Sequence, residues 1–228
     1  LPARGKATAP TPPQLAMPTA AEPVRFTHHG PQGQALALVY WPTTGLTDPK
    51  ESVGLDLVAD ILSDRLLQEI REHEGATYSP DAFSDMSVVL PGYGQIGAAV
   101  DVRTADAERI VRLMRQVGAD MHAGGITQDE FDRALQPRLA QAKTAEQNND
   151  YWFYNVLIGM EQYPQILKGA RSLLADHESQ TLAGVQTLAT RYLDPDRALP
   201  VLVMPAADAA VPPGEAATLG NAAPPVKP

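Results

Sequence analysis

Apolar residues fill both faces of Gln34–Trp41 (QALALVYW), with Leu36, Leu38 and Tyr40 on one side and Ala35, Ala37, Val39 and Trp41 on the other. Alternation of this kind predicts a strand, and the apolar character of both faces places it inside a sheet. Val24–His28 alternates more weakly and reads as a first strand. The period then changes to that of a helix. Leu55, Val58, Ile61, Leu62, Leu66 and Ile70 recur at three- and four-residue spacing and make one apolar stripe. Asp48 fits the N-cap of that helix, Pro49 its first position, and Glu51 the third residue of a capping box. Gly75 is placed to stop it in a left-handed conformation.

A strand is expected from Thr77 to about Val89, broken near Pro80, with LPGYGQ as a turn and Gln95–Val102 as the next strand. A second helix is predicted over Ala105–Ala123, with Ile110, Val111, Met114, Val117 and Met121 inward and Gly124 and Gly125 ending it. Thr127 and Glu130 have capping-box spacing for a third helix, which Pro137 should kink or split. Helical patterns follow over Asp150–Met160, Pro164–Leu174 and Glu178–Tyr192, and Ala198–Met204 (ALPVLVM) reads as a closing strand. The order predicts an α+β fold, an antiparallel-rich sheet with helices packed on one face.

Prolines mark the ends: seven of the 21 fall in residues 1–31 and seven in 200–228. We therefore expect a Pro/Ala-rich linker or arm over 1–23, a folded body over 24–205 and a disordered Ala/Pro-rich tail over 206–228. The sequence opens on Leu1 without a signal-peptide pattern, as expected of a fragment or processed form. A net charge of -9 argues against a nucleic-acid backbone as the main partner. With no cysteine, disulfides, thiol catalysis and cysteine metal sites drop out. No apolar run approaches the roughly 18 residues that span a bilayer.

Nucleophile and phosphate motifs are missing as well. There is no Gly-x-Ser-x-Gly elbow, and PGYGQIG lacks the Lys-Ser/Thr of a phosphate loop. The five histidines (His28, His29, His73, His122 and His177) show neither His-Glu-x-x-His nor its inversion, and Glu69 with His73 reads as a surface pair, so this chain is not expected to bind zinc. Tyr151, Trp152, Phe153 and Tyr154 could form a binding platform, but core packing suits so much aromatic area better. Arg71 and Tyr78, on spacing alone, suit a helix-end arginine and a half-buried strand tyrosine.

One stretch raises the stakes for that last pair. RLLQEIREHEGATYSPDAFS, Arg65 to Ser84, resembles the non-zinc, C-terminal domain of the pitrilysin/insulinase family of zinc metallopeptidases, and G-x-I-T-x-x-E-F over Gly124–Phe131 resembles a helix start of the same domain. The resemblance implies homologous α+β domains enclosing a chamber, with zinc held by His-x-x-Glu-His in a sibling domain or subunit. It implies that Arg71 and Tyr78 bind the backbone of a peptide substrate across the chamber from the metal. It further implies no activity by this chain alone, no cofactor bound by it, no membrane span, and a periplasmic or otherwise extracytoplasmic setting. A scaffold or interaction module that kept the fold and lost the protease role is the alternative.

Overall fold

The computed structural model describes residues 15–74, 78–90 and 92–206. Gly75, Thr77 and the outer parts of both proline-rich ends lie outside those residues. Five strands form one sheet in the order β1-β5-β2-β4-β3: β1 Val24–His28, β2 Gln34–Thr43, β3 Asp81–Met86, β4 Gly94–Arg103 and β5 Leu199–Pro205. All pairings are antiparallel except β1 with β5. The helices are α1 Pro49–Glu74, α2 Ala107–His122, α3 Gln128–Ala145, α4 Pro164–Glu178 and α5 Leu182–Tyr192.

Burial divides the two sides of this sheet. Ala35, Ala37, Val39 and Trp41 of β2 are at most 3% exposed, beneath α2 and α5. Leu36, Leu38 and Tyr40, which alternate with them, stay half-buried. The expected interior strand is therefore central in the sheet, yet helices cover only one of its faces. The stripe of α1 from Leu55 to Ile70 and the five inward residues of α2 all reach the core. Backbones come close here: a Cβ on Gly118 would sit 2.5 Å from the Trp41 ring, so α2 can lie against β2 only because residue 118 has none.

Side-chain ties fix the helices relative to one another. Arg65 of α1 grips Glu130 of α3 with two bonds, Nε to Oε1 at 2.6 Å and Nη2 to Oε2 at 2.9 Å, and also donates to the Gly125 carbonyl. Glu130 closes the predicted capping box with Thr127. Further along, Arg138 binds Asp60 and approaches Asp56. These anchors bracket Pro137, and α3 runs through the proline unbroken instead of splitting: both halves are pinned to the same helix.

Four other expectations shift. Glu51 lies 2.5 Å from Tyr192 Oη and 3.4 Å from Arg191, so its side chain turns to α5 instead of closing a capping box; Asp48 still caps, accepting from Lys50 N. The strand expected from residue 77 is shorter, starting after Pro80, which has no N–H to give a ladder. The boundary between the last two helices falls at 179–181, where extended Thr181 accepts from Gly184 N and starts α5. The aromatic run Tyr151–Tyr154 belongs to a π-helical turn, Tyr151–Leu157, in which only Val156 is fully buried. Phe153 and Tyr154 are 54% and 39% exposed, contrary to the core role expected of them. The aromatic rings stack edge to face in neighbouring pairs, Tyr151 with Trp152 and Phe153 with Tyr154, and so cover one another where the wide turn leaves them outside.

Candidate substrate-binding edge

Arg71 lies in the last turn of α1, where the stripe Leu66–Ile70 faces the core and leaves position 71 outside. Its side chain is exposed and makes no hydrogen bond or ion pair with any described residue. Six residues earlier on the same helix, Arg65 is committed through Nε and Nη2 to Glu130 and Gly125. The two segments that carry the family resemblance therefore meet in space, Arg65 from one and Glu130 from the other. That contact holds the Glu130 carboxyl down to about 2, with the Arg65 bonds the largest cause and Thr127 adding to them against burial.

Tyr78 precedes β3 and is buried. Its hydroxyl donates to Asp106 Oδ2 at 2.8 Å and accepts from Arg103 Nε at 2.9 Å. Arg103 also reaches the same carboxylate, and Arg109 Nη2 donates to Asp106 Oδ1 at 2.9 Å. The Tyr78 bond, followed by that of Arg109, lowers the Asp106 carboxyl below the usual range, and Tyr78 with Asp106 raises Arg103. Asp106 is thus a fixed anion between two arginines. It occupies the N-cap of α2 without capping it, its oxygens being spent on this cluster.

Arg71 and Tyr78 are not bonded to each other. The first offers free guanidinium donors in solvent; the second holds a phenol at one end of the sheet with its single O–H already given to Asp106. Arg103, with 71% of its side chain exposed, is a third polar group of this edge that the sequence reading missed. Its signal was the spacing Arg103, Asp106, Arg109, three residues apart at a helix start. Among the described residues β3 pairs only with β4 and is an edge strand, guarded by exposed Asp81 and Asp85. Among the described residues, no group of three His, Asp or Glu side chains is placed to hold a metal ion.

The profile of a family described as the peptidase M16 inactive domain matches residues 1–137. The peptidase M16 inactive domain from Pseudomonas fluorescens has a similar fold, with TM-score 0.70 and 21% identity over 88% of this chain and 48% of that one. A chain described as the inactive peptidase domain of a Bordetella parapertussis zinc protease gives 0.61 at 18% identity, over 78% of this chain and 96% of the other. The periplasmic protease PqqL from Escherichia coli gives 0.65 at 16% identity, over 83% of this chain and 21% of PqqL. The chain spans about half the length of the Pseudomonas fluorescens protein and about a fifth of PqqL. No curated protein sequence matches it. The resemblance read from Arg65–Ser84 and Gly124–Phe131, and the α+β fold it implied, are borne out by this profile and these folds.

Proposed function

Because the chain belongs to the peptidase M16 inactive-domain family, we propose that it completes the substrate chamber of a zinc metallopeptidase and contacts the peptide through Arg71 and Tyr78. The zinc, its activated water and the general base belong to a sibling domain or partner subunit; zinc there supplies Lewis-acid chemistry. The observation that carries this reading is the uncommitted Arg71 guanidinium, held at the end of a rigid 26-residue helix. A charged donor left unpaired on such a support suits a peptide carbonyl, because no bond within the domain has to break when the peptide arrives. A guanidinium also stays protonated at any working pH.

The half-bare sheet fits the same picture. Val24, Phe26, Leu36, Leu38 and Tyr40 put apolar area on the face without helices, the kind of surface another domain or a chamber content covers. Among the described residues no helix is long and apolar enough to cross a membrane. An extracytoplasmic setting is part of the proposal, supported by the periplasmic address of PqqL.

Tyr78 favours the second reading, a scaffold. Its proton is engaged with Asp106, so a peptide carbonyl receives it only if that bond exchanges. The two readings separate in one assay. Zinc-dependent cleavage of a quenched fluorescent peptide library is measured with this chain alone and joined to its zinc-bearing partner. The expected result is activity only in the joined form, with Arg71→Ala lowering kcat/KM at least about tenfold while stability changes by less than about 0.5 kcal/mol. Cleavage by the isolated chain refutes the chamber-completing role, equal losses of stability and turnover make Arg71 structural, and silence in both forms leaves the scaffold.

A further inference from the structure

A cleft of about 700 Å³ opens on the helical side of the domain, between the first half of α1, α3, the π-helical turn and α4. Its centre on α1 is Asp56, fifteen residues before Arg71 and so about 22 Å away along the helix. The walls are mostly apolar, with Val53, Ala142, Tyr151, Ile166 and Leu173 among them. Set into this lining are Asp56, Asp176 and His177.

Each of the three has acceptor capacity that the protein leaves unused. His177 is 6% exposed, and its Nδ1 lies 2.7 Å from the Leu173 carbonyl of its own helix. A carbonyl only accepts, so Nδ1 carries the proton and Nε2, on the far side of the ring, is a lone pair with no partner among the described residues. That lone pair belongs to a residue of the cleft lining and is free to accept from a group seated there. Asp176 receives Ser172 Oγ on Oδ2 at 2.6 Å, which leaves Oδ1. Asp56 takes the Ser84 hydroxyl on Oδ1, while its Oδ2 has only Arg138 Nη1 at 3.5 Å. Arg138 is a weak compensation, because its guanidinium is committed to Asp60 through Nε and Nη2. Burial accordingly holds the Asp56 carboxyl above the ordinary range, outweighing Ser84 and Arg138.

The charged and titratable groups facing this point are thus Asp56 and Asp60 from α1, Arg138 from α3, and Asp176 and His177 from α4, a net negative lining. Among the described residues no three of these carboxylate and imidazole groups are placed to hold a metal ion. Three dispersed acceptors beside an apolar channel instead match a group with three N–H donors on an alkyl stem.

We propose that this cleft binds an organic cation carrying an apolar chain, its ammonium or guanidinium head bonded to Asp56, Asp176 and His177 Nε2 and its stem along Val53, Ile166 and Tyr151. Tyr151 adds an aromatic wall of the sort that attracts such cations. The same head group occurs in free alkylamines and in lysine or arginine side chains of a docked polypeptide.

The test is an NMR titration of the full 228-residue chain, following the His177 ring and Ile166 methyl signals. Pentylamine should give saturable shifts, with 1-pentanol and pentanoate binding at least about tenfold more weakly. Asp56→Asn and Asp176→Asn should each weaken pentylamine by a similar factor, and acidification should weaken it as Asp56, its carboxyl held above the ordinary range, gains a proton. Stronger binding of a peptide acetylated at its N-terminus and carrying a free lysine side chain than of pentylamine assigns the site to a polypeptide side chain; the reverse order assigns it to a free amine. Equal binding of pentylamine and 1-pentanol, or no saturable shift with pentylamine in the unmodified chain, overturns the proposal without depending on any variant.

Discussion

Trp41 and Tyr40 are chain neighbours on the same strand, and they report on two different kinds of surface. Trp41 is fully buried, sealed by α2 at Gly118. Tyr40 points the other way, half-buried and edge-on to Phe83 with ring centroids 6.4 Å apart. Both faces of the central strand are apolar, so hydrophobicity does not distinguish them; helical cover does. The uncovered face is also graded. Toward β5 and β1 it carries Val203, Val24 and Phe26, and toward β3 it turns polar with Asp101, Asp81 and Asp85. Apolar area on a side the domain does not itself cover fits the partner-facing role proposed above.

The sharpest way to break that contrast is to hollow out the covered side. Trp41→Ala should cost about 3–5 kcal/mol, measured as the loss of stability in denaturant unfolding. A smaller and pH-dependent loss is expected at the tie between α1 and α3. The folded Glu130 carboxyl titrates at about 2, below its ordinary 4.5, so its contribution is complete above about 4.5 and disappears as pH falls through 2. Discounted for solvent screening, that contribution amounts to about 1–2 kcal/mol. Acid unfolding of Arg65→Ala should lack this step, and an unchanged acid transition would show that the pair contributes nothing. The smallest effect belongs to the bare face. Phe26→Ser, at a position 56% exposed, should alter the stability of the isolated chain by less than about 1 kcal/mol. The same variant should weaken association with a zinc-bearing partner in analytical ultracentrifugation; a large stability loss instead would mean that the bare face is closed within this chain.

What could be read beforehand was whatever depends on local period. The stripe of α1, the inward face of α2, the Thr127 cap and the β2 alternation need only neighbours in sequence, and all four are in the structure. What could not be read depends on partners far along the chain. Pro137 is tolerated because Arg65 and Asp60, 65 or more residues from their partners, hold α3 on both sides. Tyr78 read only as a half-buried strand tyrosine, because the partners of its hydroxyl, Arg103 and Asp106, lie 25 and 28 residues away. The aromatic run misled for a different reason: four consecutive rings were assumed to follow a 3.6-residue turn, and a π-helical turn distributes them otherwise.

The seat of β5 has a consequence for biosynthesis. The last strand lies between the first two, pairing Val24 with Val201 on one side and Leu38 with Val201 on the other. Until residues 199–205 leave the ribosome, β1 has no neighbour and β2 has a raw edge. The helices can assemble beforehand, but the sheet stays open while residues 24–198 are being translated, and long-range pairings of this kind are slow to close. A nascent chain of this domain thus passes through a long interval with pairing-competent strands exposed, the interval in which a holding chaperone would have most to do.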